Sequence, residues 1–258
     1  MSDAKHSRPI GVIGNDEFGP AIAERIAACE VATVYAAFPG SPAANFGKYL
    51  DPMPATTEAM PLVLAAIEDT ETLRGLLTYG SEGRQLGLRP GAVVVDLGAR
   101  TPRELDALVE LLEPLGVALA DAALIGGPSA AAEGRAKVLL GGAQPAVEIA
   151  ETVVGLLGSV ERTGPLGSAH AAAALMGYIE AAHAVAREEA MALGAACGLT
   201  PDMIARVLSE RAPPHGMNVV QLARRAALAR RIARDRNGGA DIIDLAAVKH
   251  ARAQRENR

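Results

Sequence analysis

From Ile10 to Leu157 short apolar runs bounded by turn residues alternate with segments of helical periodicity. That alternation restricts the chain to an α/β fold with a parallel sheet, because parallel neighbours need a crossover long enough to hold a helix. Strands are expected at residues 10–13, 31–37, 62–67, 93–97, 117–120 and 136–140, and helices at 18–29, 70–77, 102–115 and 145–157. The helix at 102 carries its own start signal, with Thr101 as cap and Pro102 in the first turn. After Gly164-Pro165-Leu166-Gly167 the pattern changes. Residues 168–197 read as one long Ala-rich helix closed by Gly198, and Thr200-Pro201 begins another. The expected organisation is a doubly wound parallel α/β domain over residues 1–163 and an all-α C-terminal domain over 164–258.

Composition narrows the partners. With 258 residues, half of them hydrophobic, there is ample material for one α/β core and a smaller helical one. Aromatics make up 3% and Trp is absent, so the core must be built from Ala, Val, Leu and Ile, and platforms for stacking bases are scarce. No nucleic-acid partner is expected. Cys29 and Cys197 are single and far apart, as suits reduced thiols rather than a disulfide framework, and no metal-ligand spacing occurs. The first eight residues lack the apolar stretch of a signal peptide, and no run of about 18 apolar residues has a membrane-span pattern. A soluble, cytoplasmic protein is the expectation.

The first strand turns into the first helix through Gly14-Asn15-Asp16-Glu17-Phe18-Gly19. This is the frame of a dinucleotide-binding turn, in which one glycine makes the tight turn, a second lets the backbone approach the pyrophosphate, and a third lets helix pack on strand. Gly14 and Gly19 keep the first and third roles. Asp16 stands where the second glycine belongs, beside the helix N-terminus where phosphate oxygens sit, and its charge repels them. Weak cofactor binding is expected on that ground. Asp16 is equally suited to cap the helix, and the two roles are compatible. The second strand runs Val34-Tyr35-Ala36-Ala37 into Phe38-Pro39-Gly40-Ser41 and ends without the acid that holds ribose hydroxyls or the base that holds a 2′-phosphate, so NAD and NADP are not separated. Ser41 is either a phosphate contact or simply part of a turn.

The order of these motifs resembles the 3-hydroxyacid dehydrogenase and 6-phosphogluconate dehydrogenase superfamily, including hydroxyisobutyrate dehydrogenases and imine-reductase-like relatives. The similarity runs from Ile13-Gly14 to Gly19, through Leu64-Ala65-Ala66-Ile67-Glu68-Asp69 and Val94-Val95-Asp96-Leu97, to Asp121-Ala122-Ala123-Leu124-Ile125-Gly126-Gly127-Pro128, which is similar to the family's Asp-Ala-Pro-Val-Ser-Gly-Gly. Gly164-Pro165-Leu166-Gly167 and Glu188-Glu189-Ala190-Met191 then frame the long helix. The resemblance implies a Rossmann-like N-terminal domain, an all-helical C-terminal domain that helps form a homodimer, a small-molecule substrate and NAD or NADP as cofactor. It places Gly14, Asn15, Asp16, Glu17, Phe18, Gly19, Ser41, Ala66 and Ile67 against the cofactor, and Gly126, Gly127 and His170 against the substrate.

It also marks departures. Family members carry a lysine six residues beyond the glycine that opens the long helix, with an asparagine one turn later, and counting from Gly167 puts Ala173 and Gly177 in those places. Gly98-Ala99 stands where the family has Ser-Thr, and Ile125 where it has Ser before Gly-Gly. An enzyme without a positioned acid forgoes about two to four orders of magnitude in rate. The same helix face offers Glu180, His183 and Arg187, with His183 as acid and Glu180 orienting it, roughly 10 Å along the axis at 1.5 Å per residue. Tyr178 and His170 on a neighbouring stripe are further donors. The plainer reading of these side chains is a helix-surface ion pair of Glu180 with Arg187 and a dimer-interface histidine. Two functions follow: a divergent NAD(P)-dependent oxidoreductase acting on a small carbonyl, hydroxyacid or imine-type substrate, or a dehydrogenase-like scaffold that has lost redox activity and binds a small ligand or runs a non-redox reaction. Residues 219–258 hold ten Lys or Arg and four acidic side chains in a chain of net charge −5, either a solvated basic face or a site for an anionic ligand or partner chain.

Overall fold

The computed structural model describes residues 9–14, 17–31, 33–36, 60–79 and 88–209. The chain divides into two compact units, Met1–Leu175 and Met176–Arg258. In the first, seven strands form one sheet: β1 (Ile10–Gly14), β2 (Thr33–Ala36), β3 (Leu62–Ala66), β4 (Val93–Asp96), β5 (Ala118–Ile125), β6 (Ala136–Gly142) and β7 (Gly158–Gly164). Helices α1 (Phe18–Ala28), α2 (Thr70–Tyr79), α3 (Pro102–Leu112), α4 (Gly127–Ala132) and α5 (Gln144–Val154) connect them. The long α6 (Ser168–Ala196) follows β7, and the described part of the second unit comprises the rest of α6 and α7 (Pro201–Ser209), helical throughout apart from the link between them.

The sheet order is β2-β1-β3-β4-β5-β6-β7, the doubly wound arrangement in which the chain steps outward from β1 to β2 and then returns past β1 to β3. Strands β1, β3 and β4 are buried on both faces. Val12, Leu64 and Val95 face one core with Ile22 and Ile26 of α1 and with Val147, Ala150 and Val154 of α5. Their neighbours Ile13, Val63 and Val94 face the other, against Leu73 and Leu76 of α2 and Leu105 and Leu108 of α3. A strand covered on both sides has no polar face to alternate with, so it reads as an unbroken apolar run.

The all-parallel expectation fails at one place: β5 and β6 pair antiparallel, Ala122 opposite Leu140. The cause is length. Only residues 126–135 separate the two strands, too few for a crossover, which needs a dozen or more, so the chain turns back beside itself. Strand β5 also runs on to Ile125, beyond the expected end at Ala120, because β6 pairs along its extension. Two elements were not expected. The short α4 sits in the β5–β6 connection, and β7 pairs parallel with β6, its alternating half-exposed GSVERTG lacking the apolar run of the inner strands.

Helix α3 starts as the sequence predicts. Thr101 is the N-cap, its hydroxyl accepts from the Glu104 N–H, the Glu104 side chain returns to the Thr101 N–H, and Pro102 occupies the first turn.

Candidate active site

The strand β1 and helix α1 meet at Gly14 and Gly19. A Cβ on Gly14 would stand 2.7 Å from the Gly19 Cα, and one on Gly19 would stand 2.9 Å from the Gly14 Cα and 2.9 Å from the Tyr35 hydroxyl. The Tyr35 hydroxyl donates to the Gly14 carbonyl at 3.3 Å in the buried interior. Two of the three glycine roles read from the sequence are therefore present as backbone packing. The N-cap position of α1 falls on Glu17, whose side chain makes no cap bond. Asn15, Asp16 and Ser41 lie outside the described residues.

At the carboxyl end of β4, Asp96 is fully buried. Its Oδ1 accepts from the Gly98 N–H at 3.1 Å, and its Oδ2 lies 3.2 Å from Arg100 Nε in an ion pair whose two side chains are both excluded from solvent. The Arg100 guanidinium also donates to the carbonyls of Ile67 and Glu68, just past β3. One buried cation thus ties the loop after β3 to the loop after β4. A Cβ on Gly98 would fall 2.6 Å from both Arg100 Nη2 and the Ile67 carbonyl oxygen, so Arg100 occupies the room a side chain at 98 would need. Burial pushes the Asp96 carboxyl up from its ordinary value, against the opposing pull of Arg100, His170 and the Gly98 N–H.

Asp121, in β5 beside Asp96, is also fully buried. Its Oδ1 accepts from the Gly167 N–H at 2.8 Å and its Oδ2 from the His170 N–H at 2.9 Å, so a carboxylate from the sheet caps the N-terminus of α6 where the helix dipole favours negative charge. This fixes His170, 5% exposed, over the end of β4, with its Nε2 at 3.2 Å from the Asp96 carbonyl oxygen and its buried Nδ1 without a hydrogen-bond partner.

Arg100 and His170, but not the two aspartates, line a cavity of about 480 Å³. Its walls come from the start of α1 (Phe18), the end of β3 (Ala66), the β4–α3 loop, the last residues of β5 (Leu124, Ile125) and the first turns of α6 (His170, Ala173). It lies at the carboxyl ends of β3 and β4, beside the point where strand order reverses, the position at which doubly wound sheets bind ligands. The lining is mainly apolar, and its ionisable members are Glu68, Arg100 and His170.

Of the site residues read from the sequence, Phe18, Ala66 and His170 line this cavity. Ile67 is buried beside it with its carbonyl on Arg100. Gly126 and Gly127, with φ of 113° and 79°, make the turn from β5 into α4 directly after the lining residue Ile125. Tyr178, Glu180 and His183 belong to the second unit, where all three are exposed; Glu180 and His183 do not pair with each other, and none of the three side chains makes a hydrogen bond or ion pair among the described residues. The roles of Asp96, Arg100 and Asp121 were not read from the sequence. The available signal was an acid closing each of two apolar runs at the middle of the sheet, where a charge must find a partner, and an arginine four residues after the first. Among the described residues no group of three His, Cys, Asp or Glu could hold a metal ion, and no helix is long and apolar enough to cross a membrane.

Fold and site together define a doubly wound nucleotide-binding domain with a ligand cavity at its switch point. Residues 9–167 match the family model of the NAD binding domain of 6-phosphogluconate dehydrogenase, and the chain belongs to that family. L-threonate dehydrogenase of Cupriavidus necator is 30% identical over 225 residues, 80% of this chain and 71% of that protein. Human mitochondrial 3-hydroxyisobutyrate dehydrogenase is 28% identical over 131 residues, 50% of this chain and 39% of that one. Among solved structures, an imine reductase variant from Myxococcus stipitatus in complex with NAD+ superposes with a TM-score of 0.78 at 16% identity, covering 96% of this chain and 94% of that chain. A reductive aminase from Aspergillus terreus in complex with NADPH and ethyl levulinate gives 0.77 at 18%, covering 98% and 95%. At these identities the structural likeness establishes the fold.

Proposed function

We propose that this chain is an NAD- or NADP-dependent oxidoreductase acting on a small carbonyl, hydroxyacid or imine-type substrate. The observation that carries the reading is the cavity at the switch point beside a β1–α1 crossing that has no room for a Cβ at Gly14 or Gly19. That crossing fits a dinucleotide, because it brings α1 onto β1 and leaves the turn between them to backbone groups. Gly14, Phe18, Gly19, Ala66 and Ile67 would hold the cofactor, with Asn15, Asp16, Glu17 and Ser41 along its phosphates and ribose. A bound nicotinamide supplies or accepts the hydride. The chain's own residues supply a dry apolar wall, the rigid loop pair locked by Arg100, and the proton. Proton exchange is assigned to α6, among His170, Tyr178, Glu180 and His183, with Gly126 and Gly127 beside the substrate. The helical part from residue 164 onward is assigned to dimerisation and substrate enclosure in a cytoplasmic homodimer.

Thermal-shift and fluorescence titrations with NADH and NADPH test this reading: saturable binding of either is expected, weak because of Asp16, and no binding at millimolar concentration refutes it. Asp16→Gly should tighten binding. Ala173 in the cavity wall, at the place counted for the family lysine, favours the second reading, a scaffold without redox activity, and the same titration separates the two.

A further inference from the structure

We infer that the cavity takes an apolar iminium cation, a substrate that needs no proton from the wall, with Glu68 as its counter-charge, and that it discriminates against hydroxyacid carboxylates. The inference rests on the oxidoreductase reading and narrows it to one substrate class. Four polar or ionisable side chains belong to the described wall: Glu68, Arg100, Thr101 and His170. The three that could donate are committed elsewhere. The Arg100 side chain has no exposure, and its guanidinium is held by Asp96 and by the carbonyls of Ile67 and Glu68. The Thr101 hydroxyl donates to Glu104 Oε2 at 2.7 Å while it caps α3. His170 Nε2 lies 3.2 Å from the Asp96 carbonyl oxygen, which can only accept, and its Nδ1 is shut off from cavity and solvent alike. Gly98, Ala99, Ile125 and Ala173 add no polar side chain to the wall.

Reduction of a carbonyl leaves an alkoxide that must be protonated, so a wall without a free donor slows it by about two to four orders of magnitude. An iminium has no such need. Its carbon accepts hydride from a reduced nicotinamide dinucleotide, which is oxidised. One C–H bond forms, the C=N π pair withdraws onto nitrogen, and a neutral amine results. That amine takes its proton afterwards, from α6 or from water. The hydride step discharges the substrate, a change that apolar surroundings favour.

Charge points the same way. The Arg100 cation is balanced by the buried Asp96. Glu68 is the only acidic residue in the described wall; it is exposed, and its carboxylate forms no hydrogen bond or ion pair among the described residues. The uncompensated charge of that wall is therefore negative, and across a mainly apolar cavity it attracts a cation and repels a carboxylate without touching either. With Arg100 spent on Asp96, the described wall has no free guanidinium or ammonium to hold a carboxylate.

The test uses the full-length protein and three substrates. N-methylpyrrolinium, an iminium of fixed charge, and cyclopentanone, a neutral carbonyl of similar size, are offered with NADH or NADPH, and L-threonate with NAD+ or NADP+. The kcat/KM for N-methylpyrrolinium should exceed that for cyclopentanone by at least about 10²-fold, and its kcat should stay level across the neutral pH range because no proton takes part. L-threonate should be turned over least. Glu68→Gln should raise KM for the iminium about three- to tenfold with kcat within about twofold, and Glu68→Asp should recover most of that loss. A parent that binds NADH or NADPH yet leaves the iminium unreduced, or that handles cyclopentanone or L-threonate as well as the iminium, overturns the inference while leaving the oxidoreductase reading in place. So does a Glu68→Gln protein whose KM is unmoved. A parent that binds neither NADH nor NADPH overturns both.

Discussion

Replacing Gly14 by Ala tests the central packing relation of the site, because what the new methyl group would meet is backbone. Its Cβ would lie 2.7 Å from the Gly19 Cα, 3.3 Å from the Gly19 nitrogen and 3.5 Å from the Ala66 carbonyl oxygen. Carbon atoms in contact prefer about 3.5–4.0 Å, so α1 must retreat from β1 by about 1 Å, and no rotamer change relieves the clash. Overpacking of this kind costs about 1–3 kcal/mol. The lower unfolded-chain entropy of Ala returns about 0.5–1 kcal/mol, leaving a net loss of about 1–2 kcal/mol. At about 2–4 °C per kcal/mol for a domain of this size, the melting transition should fall by about 2–8 °C in calorimetry. Gly75, inside α2 with nothing within 4 Å of an added Cβ, is the control: Gly75→Ala should raise the melting temperature by about 1–4 °C, because helix propensity alone changes there. NADH titration of the same proteins should show Gly14→Ala weakened and Gly75→Ala unchanged. A Gly14→Ala protein that melts with the parent and binds the cofactor equally would refute the close-crossing account.

Two further outcomes follow from the buried and capping charges. Arg100→Met leaves Asp96 as an uncompensated buried carboxylate and should destabilise by about 3–5 kcal/mol, whereas adding Asp96→Asn should recover most of the loss, since it is the orphaned charge that is expensive; equal melting temperatures for the single and double variants would count against this. Glu104, held down to about 2 from its ordinary 4.5 first by the Thr70 hydroxyl and then by Thr101, binds its proton less readily folded than unfolded. Its contribution is therefore complete above about pH 4.5 and disappears as pH falls towards about 2. The gap in melting temperature between the parent and Glu104→Gln should close over that interval, and a gap independent of pH would contradict the assignment.

How much of this was legible in the sequence depends on which contacts are local. The inner strands, α1, α3 and the Gly14–Gly19 crossing were readable because each is encoded within about ten residues: an apolar run, a capping box, a glycine spacing. The antiparallel turn at β5–β6 was encoded too, in the shortness of residues 126–135, but the alternating pattern around it favoured βαβ units. Strand β7 was not readable, since an outer strand with half-exposed residues lacks the apolar run that marks β1 to β4. The site divides the same way. Phe18, Ala66 and His170 were found through motif order, whereas the bonds from Arg100 to Ile67 and Glu68, 33 and 32 residues away, and from Asp121 to Gly167 and His170, 46 and 49 residues away, exist only once the sheet has formed.

Those long-range bonds give the residues Gly98, Arg100, His170 and Ala173 a common physical sense. Arg100 needs the space that a side chain at 98 would fill, and Gly98 leaves it open. With Arg100 in place, Asp96 is neutralised inside the core and the loops after β3 and β4 become one rigid edge of the cavity. That edge presents the Asp96 carbonyl to His170, and Asp121 holds the first turn of α6 so that the imidazole meets it. Ala173, one turn further on, then leaves the cavity wall small and apolar beside the ring. A lysine at 173 would place a long cationic side chain in a mainly apolar wall, about one helical turn from His170, so the small residue at 173 and the anchored histidine at 170 are complementary. Introducing Ala173→Lys should on this account not raise activity, and an Ala173→Lys variant that turns over substrate faster than the parent would break the link.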